Sequence, residues 1–244
     1  MKIKLLGKNL DDIRPLLARF GLEEAGSGFE LIVTHGGDGA LLGAERDFPG
    51  VPKLPLRDAA TAPTCGEHSA ARRLEKFVAG RSALTRLPKV LGVTPSGDRI
   101  CGINDVFLHS ASHTSALRYR VRIDGELYAA EVVGDAVGIA SVHGSGAYYR
   151  SITHSVFRVG IGLAFSNSTE SVDHMVLDSG SRIGIEVVRG PGLLAADNDP
   201  RELPVAEGES VTLSMSSDAA FVWDLADFMC HHCRLLRHPN PNAF

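Results

Sequence analysis

"ELIVTHGGDGALLGAERDF", residues 30–48, decides how the rest of this chain is read. An apolar run, Leu31-Ile32-Val33, has the length and branching of a buried strand. It runs into Gly36-Gly37-Asp38-Gly39, and helical spacing resumes from Gly39 to Phe48. Strand, glycine loop and helix start in that order are the layout of a phosphate site. Glycine lets the backbone take positive φ and approach a ligand closely, and a helix N-terminus offers free N–H groups. The alternative is a tight strand-to-helix turn whose glycines serve geometry alone. Asp38 weighs against it. A carboxylate among phosphate-facing amides repels phosphate unless it binds a metal or meets a hydroxyl, and both are roles in phosphoryl transfer. Neither G-x-x-x-x-G-K-[ST] nor G-x-G-x-x-G occurs.

Working outward, the first part alternates strand and helix signals. "KIKLLG" (2–7) reads as a strand and "LDDIRPLLARFGL" (10–22) as a helix, with Pro15 tolerated only in its first turn. "VPKLPLR" (51–57) reads as an edge strand or a poor one because of its prolines. "GEHSAARRLEKFVAG" (66–80) reads as one amphipathic helix ending at Gly80. This alternation implies parallel strands covered by helices. Near residue 84 the period becomes two. "VFLHS" (106–110), "ALRYRVRIDGELYAAEV" (116–132), "AVGIAS" (136–141), "RIGIEVV" (182–188) and "SVTLSM" (210–215) are strands, with a hairpin turn at Asp124-Gly125. A short helix is expected at 146–155 and a final one over 221–236. The expected division is an α/β N-terminal domain (1–83), a β-rich nucleotide-binding domain (84–215) and a C-terminal helix and tail (216–244).

The chain has 244 residues, is 44% hydrophobic and carries a net charge of −4, evenly spread, so nothing marks a nucleic-acid groove. No run approaches the roughly 18 apolar residues of a membrane helix, and the opening apolar stretch is too short for a signal peptide. Cys65, Cys101, Cys230 and Cys233 are sparse for this length and read as reduced thiols of a cytoplasmic protein. "CHHC" at 230–233 invites a zinc reading. Four adjacent residues cannot close a tetrahedron, however, and Cys65 and Cys101 would have to help. The expectation is therefore no metal there.

Two further elements follow the glycine loop. "CGINDVFLHS" sets Asn104-Asp105 before an apolar strand, where side chains often cap a turn. "GDAVGIASVHGSGAYYRSITHS" sets Gly144-Ser145-Gly146-Ala147-Tyr148 after a strand and before a helix. Small residues there open backbone amides and Ser145 to a polar ligand, and Tyr148 is placed to stack on a base or sugar. The alternative is a plain turn with Tyr148 half buried. His35 and His143 are either phosphate donors or ordinary turn-lining histidines.

In this order, "GGDGALL", "NDVFLH" and "GDAVGIASVHGSGAY" resemble the ATP-NAD kinase family, with its GGDG-T-x-L, N-E-[VI] and GDG…TPTGSTAY elements. "AADNDPRELPVAEGESVTLSMS" resembles the family's late segment. The resemblance covers residues 30–48 and 100–215. Its departures are Ala40 for threonine, Asp105 for glutamate, and His143 and Gly146 for the threonines nearest the ligand. The resemblance implies an NAD kinase-like two-domain fold and transfer of a phosphoryl group from ATP, with Mg²⁺, to the 2′-hydroxyl of the NAD adenosine ribose. Asp38 would act on that hydroxyl. Gly36, Gly37 and Gly39 would approach phosphates. Asn104, Asp105, Asp135, His143, Ser145, Ala147, Tyr148 and Ser151 would line the nucleotide site. It also implies a homodimer or homotetramer. Two rivals keep the fold: a non-catalytic nucleotide-binding protein, and a kinase acting on another hydroxyl acceptor.

Overall fold

The computed structural model describes residues 1–228 and 230–237. The chain forms two compact units, one of residues 1–87 with the segment from Ala220 onward, the other Pro88–Ala219.

The first unit contains β1 (Lys2–Gly7), α1 (Leu10–Arg19), β2 (Glu23–Glu24), β3 (Leu31–His35), α2 (Asp38–Asp47), β4 (Lys53–Leu56) and α3 (Ala70–Val78). Its strands lie in the order β2-β1-β3-β4, all parallel. All five residues of β3 are buried, as a strand sandwiched between helices requires. Ile3, Leu5, Leu31, Val33, Leu54 and Leu56 from the sheet pack with Ile13, Leu17 and Leu74 from α1 and α3.

Three readings of this region need correction. Pro15 lies inside α1, beyond its first turn. It is exposed, and burial of Ile13 and Leu17 on the opposite face holds the helix despite the missing N–H. β4 is an interior strand. The Pro52 carbonyl accepts from Ile32 of β3 and the Leu56 carbonyl from Gly36 just beyond it. By the alternation of strand backbone, the absent N–H of Pro55 points to the other side, where the register is with Lys53. The 66–80 helix is broken. Gly66–His68 is a single 3₁₀ turn, and Ser69 breaks out at ψ 151° to cap α3, its hydroxyl accepting the Arg72 N–H at 3.5 Å.

The second unit takes up β5 (Leu84–Val93) at Pro88, runs through β6 (Arg99–Gly102), β7 (Asp105–Ser110), β8 (Leu117–Ile123), β9 (Glu126–Gly134), β10 (Ala136–Ala140), α4 (Tyr148–Thr153), β11 (Ile161–Ser166), β12 (Met175–Leu177), β13 (Ile183–Arg189), β14 (Gly192–Ala196) and β15 (Leu203–Val205), and ends within β16 (Ser210–Trp223) at Ala219, the last residues of β16 belonging to the first unit. One sheet, β12-β11-β10-β7-β14-β15, is antiparallel throughout. The other carries β16-β13-β8-β9, also antiparallel, with β5 and β6 beside it. Alternate residues of the two sheets meet in one core that includes Val106, Leu108, Val137 and Phe165 from the first and Tyr119, Val121, Ile185 and Leu213 from the second. Asp124 and Gly125 both take positive φ, 51° and 89°, as a two-residue hairpin turn demands.

The expected final helix over 221–236 is also corrected. β16 continues to Trp223, and Val222 pairs with Lys53 of β4 in the first unit. Asp224 then turns the chain at φ 48°. Its carboxylate accepts from the Ser82 hydroxyl, the Ala83 N–H and the Lys76 ammonium. Two short helices follow, α5 (Leu225–Phe228) and α6 (His231–Arg237). Residue 229 and residues 238–244 of the expected helix and tail lie outside the described residues. No helix among the described residues is long and apolar enough to cross a membrane.

Candidate functional site

The glycine loop follows β3 directly. Gly36 sits at φ 146°, a conformation that side chains other than glycine's rarely adopt, and its N–H donates to the Leu56 carbonyl at 2.9 Å. Gly37 is the N-cap of α2, and Asp38 is its first residue. The Asp38 side chain is 57% exposed. Its Oδ1 accepts from Arg57 Nη2 at 3.1 Å, and the Arg57 side chain is only 4% exposed. A buried guanidinium therefore lies beside an exposed carboxylate at a helix N-terminus. That is a cation and a proton acceptor within one short reach. His35 is buried, and its Nδ1 bonds the Lys8 carbonyl at 2.8 Å, so it is a turn-lining histidine.

The loop after β4 that carries Arg57 is held at its start by Asp58, which is 2% exposed. Asp58 accepts from Asn9 Nδ2 at 2.8 Å, the Ala60 N–H at 3.0 Å and the Thr61 hydroxyl at 3.2 Å. Burial pushes this carboxyl up, but the three hydrogen bonds and nearby His35 outweigh it, and its pKa lies below the ordinary value.

In the second unit the Asn104–Asp105 and Gly144–Tyr148 elements come together. A Cβ on Gly144 would lie 1.9 Å from the Asn104 carbonyl oxygen, so only glycine fits. The Ser141 hydroxyl donates to the Ile103 carbonyl at 2.6 Å, and the Ser141 N–H to the Asn104 carbonyl at 2.8 Å. Asp197, at φ 47°, accepts the backbone N–H groups of Ile103, Asn104 and Asp105 at 2.7, 2.8 and 3.1 Å. Ser145 is 5% exposed, and its hydroxyl faces the carbonyls of Val142 and Phe157 at 2.8 and 3.2 Å. His143 is half-buried at the start of the 3₁₀ turn Gly144–Gly146, and Ala147 is exposed.

Tyr148 packs edge-on against Phe107 at 4.8 Å and stacks on His109 at 5.8 Å, its hydroxyl 3.4 Å from Ser166 Oγ. It borders a cavity of about 480 Å³ lined also by Ser151, Ser166, Asn167, Glu170 and His174. Exposed Asp135 accepts from Asn167 Nδ2 at 2.7 Å. Each unit thus gathers its own expected residues: Gly36, Gly37 and Asp38 in the first; Asn104, Asp105, Gly144 and Ser145 around one turn of the second; Tyr148 and Ser151 at its cavity, with Asp135 joined to it through Asn167. Arg57, Asp197 and Asn167 were not singled out in the sequence. Asp197 lies in the "AADNDP" stretch that carried the late family resemblance, which was the available signal.

Asp105 is mostly withdrawn from water, and burial followed by the Asp197 charge raises its pKa to about 7. Its ordinary value is 3.8, so between that value and about 7 the folded chain holds a proton that the unfolded chain has released. Stability contributed here is present at low pH and is lost as pH rises through that window. Half-buried His109 and exposed His174 have pKa values lowered chiefly by desolvation and titrate with the opposite sign, so the informative quantity is a difference between two proteins. Asp105→Asn should gain stability over the parent at pH 8, on the order of a few kcal/mol, and the gain should shrink towards pH 5. Urea midpoints of both proteins from pH 5 to 8 check this; a gain independent of pH refutes it.

No family model matches the chain. Two curated relatives, the NAD kinases of Brucella suis and Brucella melitensis, are each 30% identical to it over 145 residues, which is 58% of this chain. The match spans 56% of those relatives, so the chain covers a little over half their length. Among solved structures, an NAD kinase from Archaeoglobus fulgidus in complex with ATP matches 94% of this chain and 96% of its own, with TM-score 0.76 and 18% identity. Yeast NADH kinase complexed with NADH matches 100% of this chain and 89% of its own, with TM-score 0.79 and 16% identity. In sequence the chain is similar to NAD kinases over a little more than half its length. The structural likenesses, at such low identity, establish its fold: an NAD kinase fold of mixed α/β sheet and antiparallel β sheet.

Proposed function

We propose that this NAD kinase homologue is an ATP-dependent phosphotransferase that acts on the 2′-hydroxyl of the NAD adenosine ribose. The observation that carries the reading is Asp38, an exposed carboxylate beside buried Arg57 at the glycine-loop helix start. In the proposed step Asp38 takes the hydroxyl proton. The freed oxygen bonds to the γ-phosphorus of ATP, the bond from that phosphorus to the β-bridging oxygen breaks, and ADP leaves with the electron pair. Arg57 and the amides of Gly36, Gly37 and Gly39 offset negative charge on the phosphates. Asn104, Asp105, Asp135, Tyr148 and Ser151 hold the nucleotide, with His143, Ser145 and Ala147 shaping the turn between them. Mg²⁺ would supply neutralisation of phosphate charge, and the exposed Asp38 carboxylate is an oxygen donor of the kind that would hold it. The working form is a cytoplasmic homodimer or homotetramer, which light scattering on the purified protein tests.

One specific feature favours a second reading. His143 and Gly146 stand where the family carries threonines, and the Ser145 hydroxyl faces backbone carbonyls. A nucleotide-binding protein without catalysis would fit those losses. Incubation with ATP, Mg²⁺ and NAD separates the readings. NADP formation is the expected result. Calorimetric binding of NAD or ATP with no NADP formed supports the binding protein, and ADP release with some other hydroxyl compound supports a different acceptor.

A further inference from the structure

Three cysteines and one histidine come together in the first unit, away from any role in phosphoryl transfer. They arrive as two matched half-sites. Cys65 immediately precedes the 3₁₀ turn Gly66–His68, and Cys230 immediately precedes α6. In each, the second ligand sits three residues on: His68 in one, Cys233 in the other. One helical turn brings residues three apart onto the same face, so each pair presents two donors in one direction. The ligand atoms of Cys65, His68, Cys230 and Cys233 all lie within 4.8 Å of one another.

We propose that Cys65, His68, Cys230 and Cys233 form a structural zinc site. Zn–S bonds of about 2.3 Å and Zn–N bonds of about 2.0 Å at tetrahedral angles put ligand atoms about 3.5–3.8 Å apart. Cys65 Sγ and Cys233 Sγ are 3.7 Å apart, and Cys233 Sγ and His68 Nδ1 are 3.8 Å apart. Cys65 Sγ and His68 Nδ1 are closer, at 3.0 Å, and open by about half an ångström around an ion. The sulfur atoms already have the donors that support thiolates. The Cys65 N–H points at Cys233 Sγ at 3.4 Å, and the N–H groups of His232 and Cys233 serve Cys230.

The expectation of no zinc weighed the Cys230–Cys233 segment alone and looked to Cys65 and Cys101 for help. The structure brings His68 with Cys65, while Cys101 lies on β6 of the other unit. His231 and His232 point elsewhere and are exposed. A disulfide accounts for less of this arrangement. It needs an S–S distance of about 2.05 Å, uses two of the three sulfurs and leaves His68 unexplained. All four cysteines are free thiols.

The consequence is a clamp within the first unit. It ties the segment after β16 to the far end of the loop that starts at Arg57 and Asp58. Asp58 pins the start of that loop and zinc pins its end, so the segment that follows Arg57 is held at both ends. Binding one Zn²⁺ releases the thiol protons, and the free energy of binding is available to folding.

Untagged protein purified in reductant without chelator should contain about one zinc per chain. Cys65→Ser and Cys233→Ser should each lose it, and Cys101→Ser should keep it. Should the serine variants prove insoluble, cobalt decides on the parent. Replacing zinc by Co²⁺ should give the intense visible bands of a tetrahedral ion and thiolate charge-transfer bands in the near ultraviolet. The site is refuted if the parent takes up no zinc after reconstitution, if cobalt shows a weak octahedral spectrum, or if mass spectrometry of the reduced preparation finds a Cys65–Cys233 disulfide. None of these readouts depends on catalytic activity, so they stand or fall separately from the kinase reading.

Discussion

Asp38→Asn is expected to lower turnover by about 10²–10⁴-fold, the usual loss when a positioned general base is removed. The substitution keeps size and leaves an amide oxygen to accept from Arg57, but it cannot take a proton. Nucleotide affinity should hold or rise slightly, because a negative charge near the phosphates has gone. A fall in kcat with little change in KM is therefore the signature. The folding cost is not zero. Buried Arg57 loses the charge of Asp38, and α2 loses a carboxylate at its N-terminus; together these amount to about 1 kcal/mol. An exposed loop carboxylate read from sequence alone suggested no such cost. Steady-state kinetics, calorimetry and a urea melt of variant and parent measure all three quantities. Near-parental turnover would make Asp38 a helix-start residue only, and the kinase reading would lose its main support.

What the sequence made legible follows from how local each signal is. β3, the glycine loop and the start of α2 are contiguous, so one window of residues 30–48 contained strand period, glycine geometry and helix period together. The Asp124-Gly125 hairpin was legible for the same reason. The strand β4 was misjudged because Pro52 lies just before it and Pro55 is harmless only because its missing N–H points away from β3, and that is a tertiary fact. The break at Ser69 was hidden because the 3₁₀ turn before it continues the helical spacing. At the site, Arg57 was missed because nothing in "PLRDAA" shows that its guanidinium turns back 19 residues to Asp38. Asn167 and Asp135 are 32 residues apart and meet only through strand pairing. The zinc ligands fell furthest from view. Each half-site is a two-ligand fragment, and 162 residues separate the ends His68 and Cys230 (230 − 68).

Lys53→Met should destabilise the protein by about 3–5 kcal/mol, the usual cost of removing one partner from a buried ion pair. Lys53 and Glu45 have side chains 0% and 3% exposed, and the ammonium donates to the Glu45 carboxylate. The Phe48 carbonyl also accepts from Lys53, at 2.7 Å, and the Gly50 N–H donates to Glu45 at 3.2 Å. Without Lys53 the carboxylate must stay charged in an apolar interior or take up a proton, and either costs free energy. The pair matters to the site through its register. Asp38 and Glu45 are seven residues apart on α2, two helical turns, so they share a face. Lys53 and Arg57 are four apart along β4 and its exit, so they share a side as well. Glu45–Lys53 and Asp38–Arg57 are thus two rungs between the same helix and the same strand, about 10–13 Å apart. The buried rung fixes the helix on the strand, and the outer rung inherits that alignment. Glu45→Leu combined with Lys53→Met removes both charges and should recover most of the loss, since an apolar pair of similar volume often matches a buried ion pair. Its turnover should then report alignment alone. Urea denaturation of the parent, the single variant and the double variant provides the test. A single variant within about 1 kcal/mol of the parent would show that water reaches Glu45, and the two-rung account of how Asp38 is held would fail with it.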